Sequence, residues 1–175
     1  VLFVASVAKK HILQFHIPYL KWFKEQGYLV HVCAGNDFEK GDKVYIPYCD
    51  KYHRMHFYRS PFATRNFTSY KELQQLVKEN HYDIIHCHTP VAAAIARVAL
   101  RKERKKGTVM LYTAHGFHFY KGAPKVSKLY YFIEKMMVKH ADLIICDSKN
   151  IEKYIRESYA SYKPATTFIA YGAET

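Results

Sequence analysis

Asp83-Ile84-Ile85-His86-Cys87-His88-Thr89-Pro90 runs directly into Val91-Ala92-Ala93-Ala94-Ile95-Ala96-Arg97-Val98-Ala99-Leu100, and this junction decides the fold class. Tyr82 to Cys87 is a short run dominated by apolar residues, the pattern of a strand covered on both faces. Pro90 disfavours helix in the residue before it and suits a helical first turn. A helix is therefore expected over Val91–Lys105, and the next apolar run, Thr108–Thr113, reads as a second strand. Two strands joined through a helix of this length lie parallel, since a tight hairpin does not connect them.

The same alternation extends outward in both directions. Val1–Val7 is a near-continuous apolar strand. Ile12, Phe15, Tyr19, Leu20 and Phe23 recur at helical spacing, and the helix ends at Lys24-Glu25-Gln26-Gly27 with Gly27 as its cap. Pro18 leaves two arrangements open: a helix that begins near Ile17, or a longer one bent at the proline. Tyr28–Ala34 is a strand, and the aromatic-rich stretch to Asn66 is irregular except for a short strand at Arg54–Tyr58. Helices follow at Ser69–Asn80, Lys125–His140 and Lys149–Ser158, with strands at Leu143–Cys146 and Thr166–Ala170. The expected fold is α/β, a doubly wound parallel sheet. Ligands of such sheets bind beyond the carboxyl ends of the strands, which selects the loops 8–16, 35–42, 59–68, 88–91 and 114–124.

A length of 175 residues suits one domain of this kind and is too short for two. No apolar window is long enough to span a bilayer, and Val1–Val7 has neither a basic segment before it nor a cleavage site after it. The four cysteines include no CxxC pair and lie mostly in apolar runs, as buried thiols do. The net charge of +12 points to an anionic partner, whether phosphorylated substrate, anionic membrane or nucleic acid. No nucleic-acid-binding motif accompanies it, so nucleic acid is not expected.

Three stretches carry candidate chemistry. His86 and His88 point to one side of their strand, because side chains alternate. His86 is expected in the core with its nitrogens satisfied by backbone groups; His88, nearer the carboxyl end, suits either the core or a bound substrate. Tyr112-Thr113-Ala114-His115-Gly116-Phe117-His118-Phe119-Tyr120-Lys121-Gly122 gathers imidazoles, glycines, a lysine and aromatics just after a strand. Glycine allows close backbone approach, and aromatic rings stack on sugars. The first loop, Ser6-Val7-Ala8-Lys9-Lys10-His11, has no glycine and no GxGxxG or Walker motif. Lys9, Lys10 and His11 at a helix start suit either a phosphate contact or a solvated turn. His86-x-His88 and His115-x-x-His118 match neither HExxH nor a zinc-finger spacing, so no metal is expected.

Basic residues cluster in two further places. Arg54, Arg59, Arg65 and Lys71 flank His56-Phe57-Tyr58, and Arg97, Arg101, Lys102, Arg104, Lys105 and Lys106 form a basic helix end. The helix at 125–140 carries Leu129, Ile133, Met136, Met137 and His140 on one face, expected in the core. Its lysines, with Tyr130 and Tyr131, suit contact with anionic lipid.

The segments "HILQFHIPYLKWFKEQGYLVHV", "YDIIHCHTPVAAAIARVALRKERKKGTVMLYTAHGFHFYKGAP" and "IEKMMVKHADLIICDS" resemble the amino-terminal domain of family 4 glycosyltransferases, most of all those of capsular and exopolysaccharide synthesis. The likeness runs from Val1 to about Ser148. It implies a Rossmann-like domain, one half of a GT-B fold, on the acceptor side of the cleft. The carboxyl-terminal nucleotide-sugar domain would lie outside this chain, leaving the chain inactive alone. It further implies retaining transfer from a UDP- or GDP-sugar, with no cofactor or bound metal, to a lipid-linked saccharide. The setting implied is the cytoplasm, peripheral to the inner face of the plasma membrane. By resemblance His115 is the catalytic candidate beside the donor sugar. His11, His88, Gly116, His118, Lys121 and Arg59 are the substrate-binding candidates. The family's usual glycine in the first loop is replaced here by Lys9, Lys10 and His11. Two other readings stand beside this one: a GT-B sugar-nucleotide epimerase, and a non-catalytic partner that recruits a separate transferase subunit to the membrane.

Overall fold

The computed structural model describes residues 1–58, 60, 63–115 and 126–169. Seven parallel strands form one sheet: β1 (Leu2–Val7), β2 (His31–Gly35), β3 (Lys51–Arg54), β4 (Ile84–Cys87), β5 (Val109–Ala114), β6 (Leu143–Cys146) and β7 (Thr166–Phe168). Their order is β3-β2-β1-β4-β5-β6-β7, so the direction of winding reverses between β1 and β4. The helices are α1 (Ile17–Glu25), α2 (Asn66–Glu79), α3 (Pro90–Ala99), α4 (Val126–Val138) and α5 (Lys149–Ser158).

Both faces of β1 are buried, which explains its unbroken apolar sequence. Leu2 and Val4 pack with Ile85, Cys87 and Met110 against α2, α3, α4 and α5. Phe3 and Ala5 pack on the other face with Val32, Ile12, Leu20 and Phe23. The sheet is doubly wound, as expected. Complete burial of Leu2, Phe3, Leu20 or Leu73 stabilises the fold by about 1.5–3 kcal/mol each. Ala92, Ala93, Ala96 and Ala99 are all buried, and side chains this small let α3 lie close on the central strands.

The structure settles several local questions. Helix α1 starts at Ile17 with Pro18 in its first turn, and a separate π-helical turn, Ala8–Leu13, precedes it. The strand expected at Arg54–Tyr58 lies at Lys51–Arg54 instead. Beyond it, Asn66 receives the Tyr58 amide and donates to the carbonyls of Tyr58 and Ser60, while the Ser69 hydroxyl donates to His56. Side chains of α2 thus satisfy this backbone in place of a sheet ladder. The helix expected to reach Lys105 stops at Ala99; a 3₁₀ turn covers Glu103–Lys106. The charged run after Leu100 offers no apolar residue to the core, and Gly107 closes it at φ 100°.

Arg97 does not belong to the basic helix end. It is completely buried, stacked 3.9 Å from the Tyr112 ring centre, and donates to Ala93 O at 3.1 Å and to Glu134 of α4 at 3.1 and 3.3 Å. On α4, Glu134, Met137 and Val138 are buried, whereas Met136, expected in the core, is 37% exposed. The rest of the basic cluster sits at the end of α3, beside the start of β5. That is the opposite edge of the sheet from the strands' carboxyl ends. No helix among the described residues is long and apolar enough to cross a membrane.

Candidate functional site

The carboxyl ends of β1, β4 and β5 converge where the winding reverses, the place where such sheets bind ligands. The π-helical turn begins directly after β1 and adds a residue per turn, which brings His11 and His16 to one side. Their Nε2 atoms are 3.1 Å apart. His88 comes from the end of β4 and His115 from the end of β5. The four rings place one nitrogen each within 4.8 Å of all the others.

The cluster is layered. Phe3 of β1 lies at the bottom, stacked on His88 at 5.8 Å with 3° between the planes. His86 is 4.1 Å from His88, and its Nε2 pairs with Thr113 Oγ1 at 2.8 Å. A side-chain hydroxyl, rather than the backbone expected from sequence, satisfies that nitrogen. His16 covers His88 at 3.8 Å. His11 and His115 form the outer layer, edge to face at 5.2 Å, with the exposed Phe15 beside both. His115 Nδ1 lies 3.7 Å from Asp147, just past β6.

Burial keeps these imidazoles neutral. It lowers His11 to about 4, with the nearby His115 ring, which would repel a second protonated imidazole, adding to the effect. It lowers His16 to about 2 and His86 to about 3, and takes His88 well below the ordinary range. His115 is lowered too, by burial, against the opposing pull of Asp147. At neutral pH the site offers hydrogen-bonding and ligating nitrogens rather than positive charge.

The backbone near β4 is strained at the same point. Thr89 has φ 63° and ψ 140°, rare for a β-branched residue. Its hydroxyl holds that conformation: Thr89 Oγ1 accepts from Ser6 N at 3.0 Å and contacts Ser6 Oγ at 2.7 Å. The start of the π-helical turn is already occupied by an anion of the chain itself. Asp37 accepts from the Lys9 and Lys10 amides at 2.6 and 2.9 Å, and Lys9 Nζ is 3.7 Å from Glu39. The phosphate contact considered for these amides therefore has a carboxylate in its place.

Of the residues selected from sequence, the structure brings His11, His88 and His115 together. His88 is completely buried, with the rings of His16, His11 and His115 at 3.8, 5.8 and 6.1 Å from its own. Gly116, His118, Lys121 and Arg59 lie outside the described residues. His16 and Asp147 belong to the site and were not selected. His16 hid within an apparent helical period, and its position depends on the π-turn. Asp147 follows an apolar run and has no local motif around it.

The family described as "Glycosyl transferase 4-like" matches residues 1–148. The chain is 45% identical over 157 residues to "Putative glycosyltransferase EpsD" of Bacillus subtilis (strain 168), covering 89% of this chain and 39% of that protein. It thus spans about two-fifths of that relative's length. Among solved structures, a sucrose-phosphate synthase from Thermosynechococcus elongatus superposes with a TM-score of 0.65 at 14% identity, over 99% of this chain and 90% of that one. Anabaena Alr3699/HepE, solved in complex with UDP and glucose, gives 0.55 at 14% identity, over 97% and 43%. At these identities the structural likeness speaks to the fold, and the sequence match speaks to the family. The chain belongs to the glycosyl transferase 4-like family, and it folds as a Rossmann-like α/β domain with a doubly wound parallel sheet.

Proposed function

We propose that this domain binds the acceptor and closes over the donor in a nucleotide-sugar-dependent, retaining transfer to a lipid-linked saccharide. The product would be a capsular or exopolysaccharide precursor, made at the inner face of the plasma membrane. The observation that carries the reading is the placement of His115. It stands at the carboxyl end of β5, on the outer layer of the histidine cluster, with Asp147 3.7 Å from its Nδ1. A neutral imidazole oriented by a carboxylate can exchange hydrogen bonds with a donor-sugar hydroxyl without a charge to desolvate. The donor is a UDP- or GDP-sugar, the rest of its site comes from a second Rossmann-like domain, and transfer itself uses no metal. The basic charge of +12 suits a phosphorylated donor and an anionic lipid acceptor.

The test uses the full-length protein with a panel of UDP- and GDP-sugars and membrane extract as acceptor. Transfer should be present in the full protein and fall by about 100-fold or more in His115→Ala, the usual scale for a lost transition-state hydrogen bond. The 1–175 chain alone should be inactive. Full activity in His115→Ala would remove this residue from the mechanism. Release of an epimerised sugar nucleotide, with no transfer, would replace the reading altogether.

A further inference from the structure

We propose that His11, His16, His88 and His115 form a site for one divalent transition-metal ion of the zinc class, and that this ion and a sugar donor are alternative occupants of the same edge. The second half rests on the transfer reading above; the first half does not.

The donor set is four imidazoles from three separate elements. Imidazole suits zinc, cobalt, nickel and copper, whereas magnesium and calcium prefer oxygen. Ligands at zinc–nitrogen distances of about 2.0–2.1 Å sit about 3.4 Å apart in a tetrahedron. The His11 and His16 Nε2 atoms are already 3.1 Å apart. The full set lies within 4.8 Å. The widest separation must therefore shorten when an ion binds, the outer rings of His11 and His115 drawing inward.

A second observation points the same way independently. His88 is completely buried, yet neither of its ring nitrogens has a hydrogen-bond partner among the described residues, and His16 Nδ1 is in the same condition. A buried polar atom without a partner costs about 1–3 kcal/mol and calls for an explanation, of which a bound ion is one. Metal ligation gives His88 a partner, and it replaces the His11–His16 contact with two ligand bonds.

The consequence for the enzyme is exclusion. An ion on His11 and His115 ties the π-helical turn to the end of β5 and takes away the nitrogen lone pairs that face the donor. A zinc-class ion would thus act as an inhibitor, not as a catalytic cofactor.

The experiment titrates the metal-stripped, full-length protein with cobalt(II), whose visible absorption reports tetrahedral nitrogen ligation, and then displaces it with zinc(II). The expected result is one ion per chain with a tetrahedral spectrum. Affinity should fall about 100-fold or more in His11→Gln and in His115→Gln, both outer positions that leave the core intact. His53→Gln is the control, since His53 and His31 form a close histidine pair outside this cluster, 3.3 Å apart; it should bind as the unaltered protein does. No saturable binding, or binding that survives both outer substitutions, overturns the site. Zinc should also abolish transfer, and a chelator should restore it. Stoichiometric binding with undiminished transfer overturns the exclusion. Binding as described in a protein that transfers no sugar even without metal leaves the site standing and sinks the transfer reading instead.

Discussion

Lowering the pH from 7 to 5 should destabilise this domain severely, because neutral histidines are packed inside it. His16 and His86 are 0% and 1% exposed, and burial lowers them to about 2 and about 3. In the unfolded chain each titrates near 6.5. The folded value lies below the unfolded one, so between the two the unfolded state binds more protons. Stability is complete above about pH 6.5 and is lost as the pH falls toward the folded values. At pH 5 the unfolded rings are protonated and the folded ones are not, a difference of about 2 kcal/mol per ring relative to pH 7. The two rings together make about 4 kcal/mol, and His88 acts in the same direction. Against a total stability of about 5–15 kcal/mol, this approaches unfolding. Carboxylates contribute little in this window, since they titrate mostly below it. Urea unfolding at pH 7 and pH 5 measures the loss. In His86→Leu the loss should shrink by about 2 kcal/mol, whatever the variant's stability at pH 7. Equal stability at the two pH values, or a pH dependence unchanged in His86→Leu, would refute the reasoning.

Two substitutions test the packing. Glu134→Ala strands the buried Arg97 guanidinium and should cost about 3–5 kcal/mol in chemical denaturation, far more than any surface ion pair of this chain. Gly35→Ala places a Cβ 2.7 Å from the Ser6 carbonyl oxygen. The ends of β1 and β2 must then part, which should lower stability by about 1–3 kcal/mol and disturb the His11 loop that follows β1. A melting temperature equal to that of the unaltered protein would contradict the close approach.

The sequence by itself determined the fold class. Unbroken apolar runs such as Val1–Val7 and Tyr82–Cys87, separated by helical periods and punctuated by Pro90 and Gly27, admit few arrangements other than a covered parallel sheet. The positions of His88 and His115 at strand ends were legible for the same reason, because a strand's end and direction can be read locally. Tertiary structure alone decided which residues meet. Arg97 looks like one cation in a basic run, yet it is buried, because α4 brings Glu134 to it from 37 residues away. Asp37 takes the amides that a phosphate would use, through a contact spanning 28 residues. The four-histidine cluster has no linear signature at all. His11 and His16 are set by a π-turn, and His88 and His115 by the order β1-β4-β5 in the sheet. Spacing along the chain encodes periodicity, whereas a site assembled from three strand ends is encoded only by their pairing.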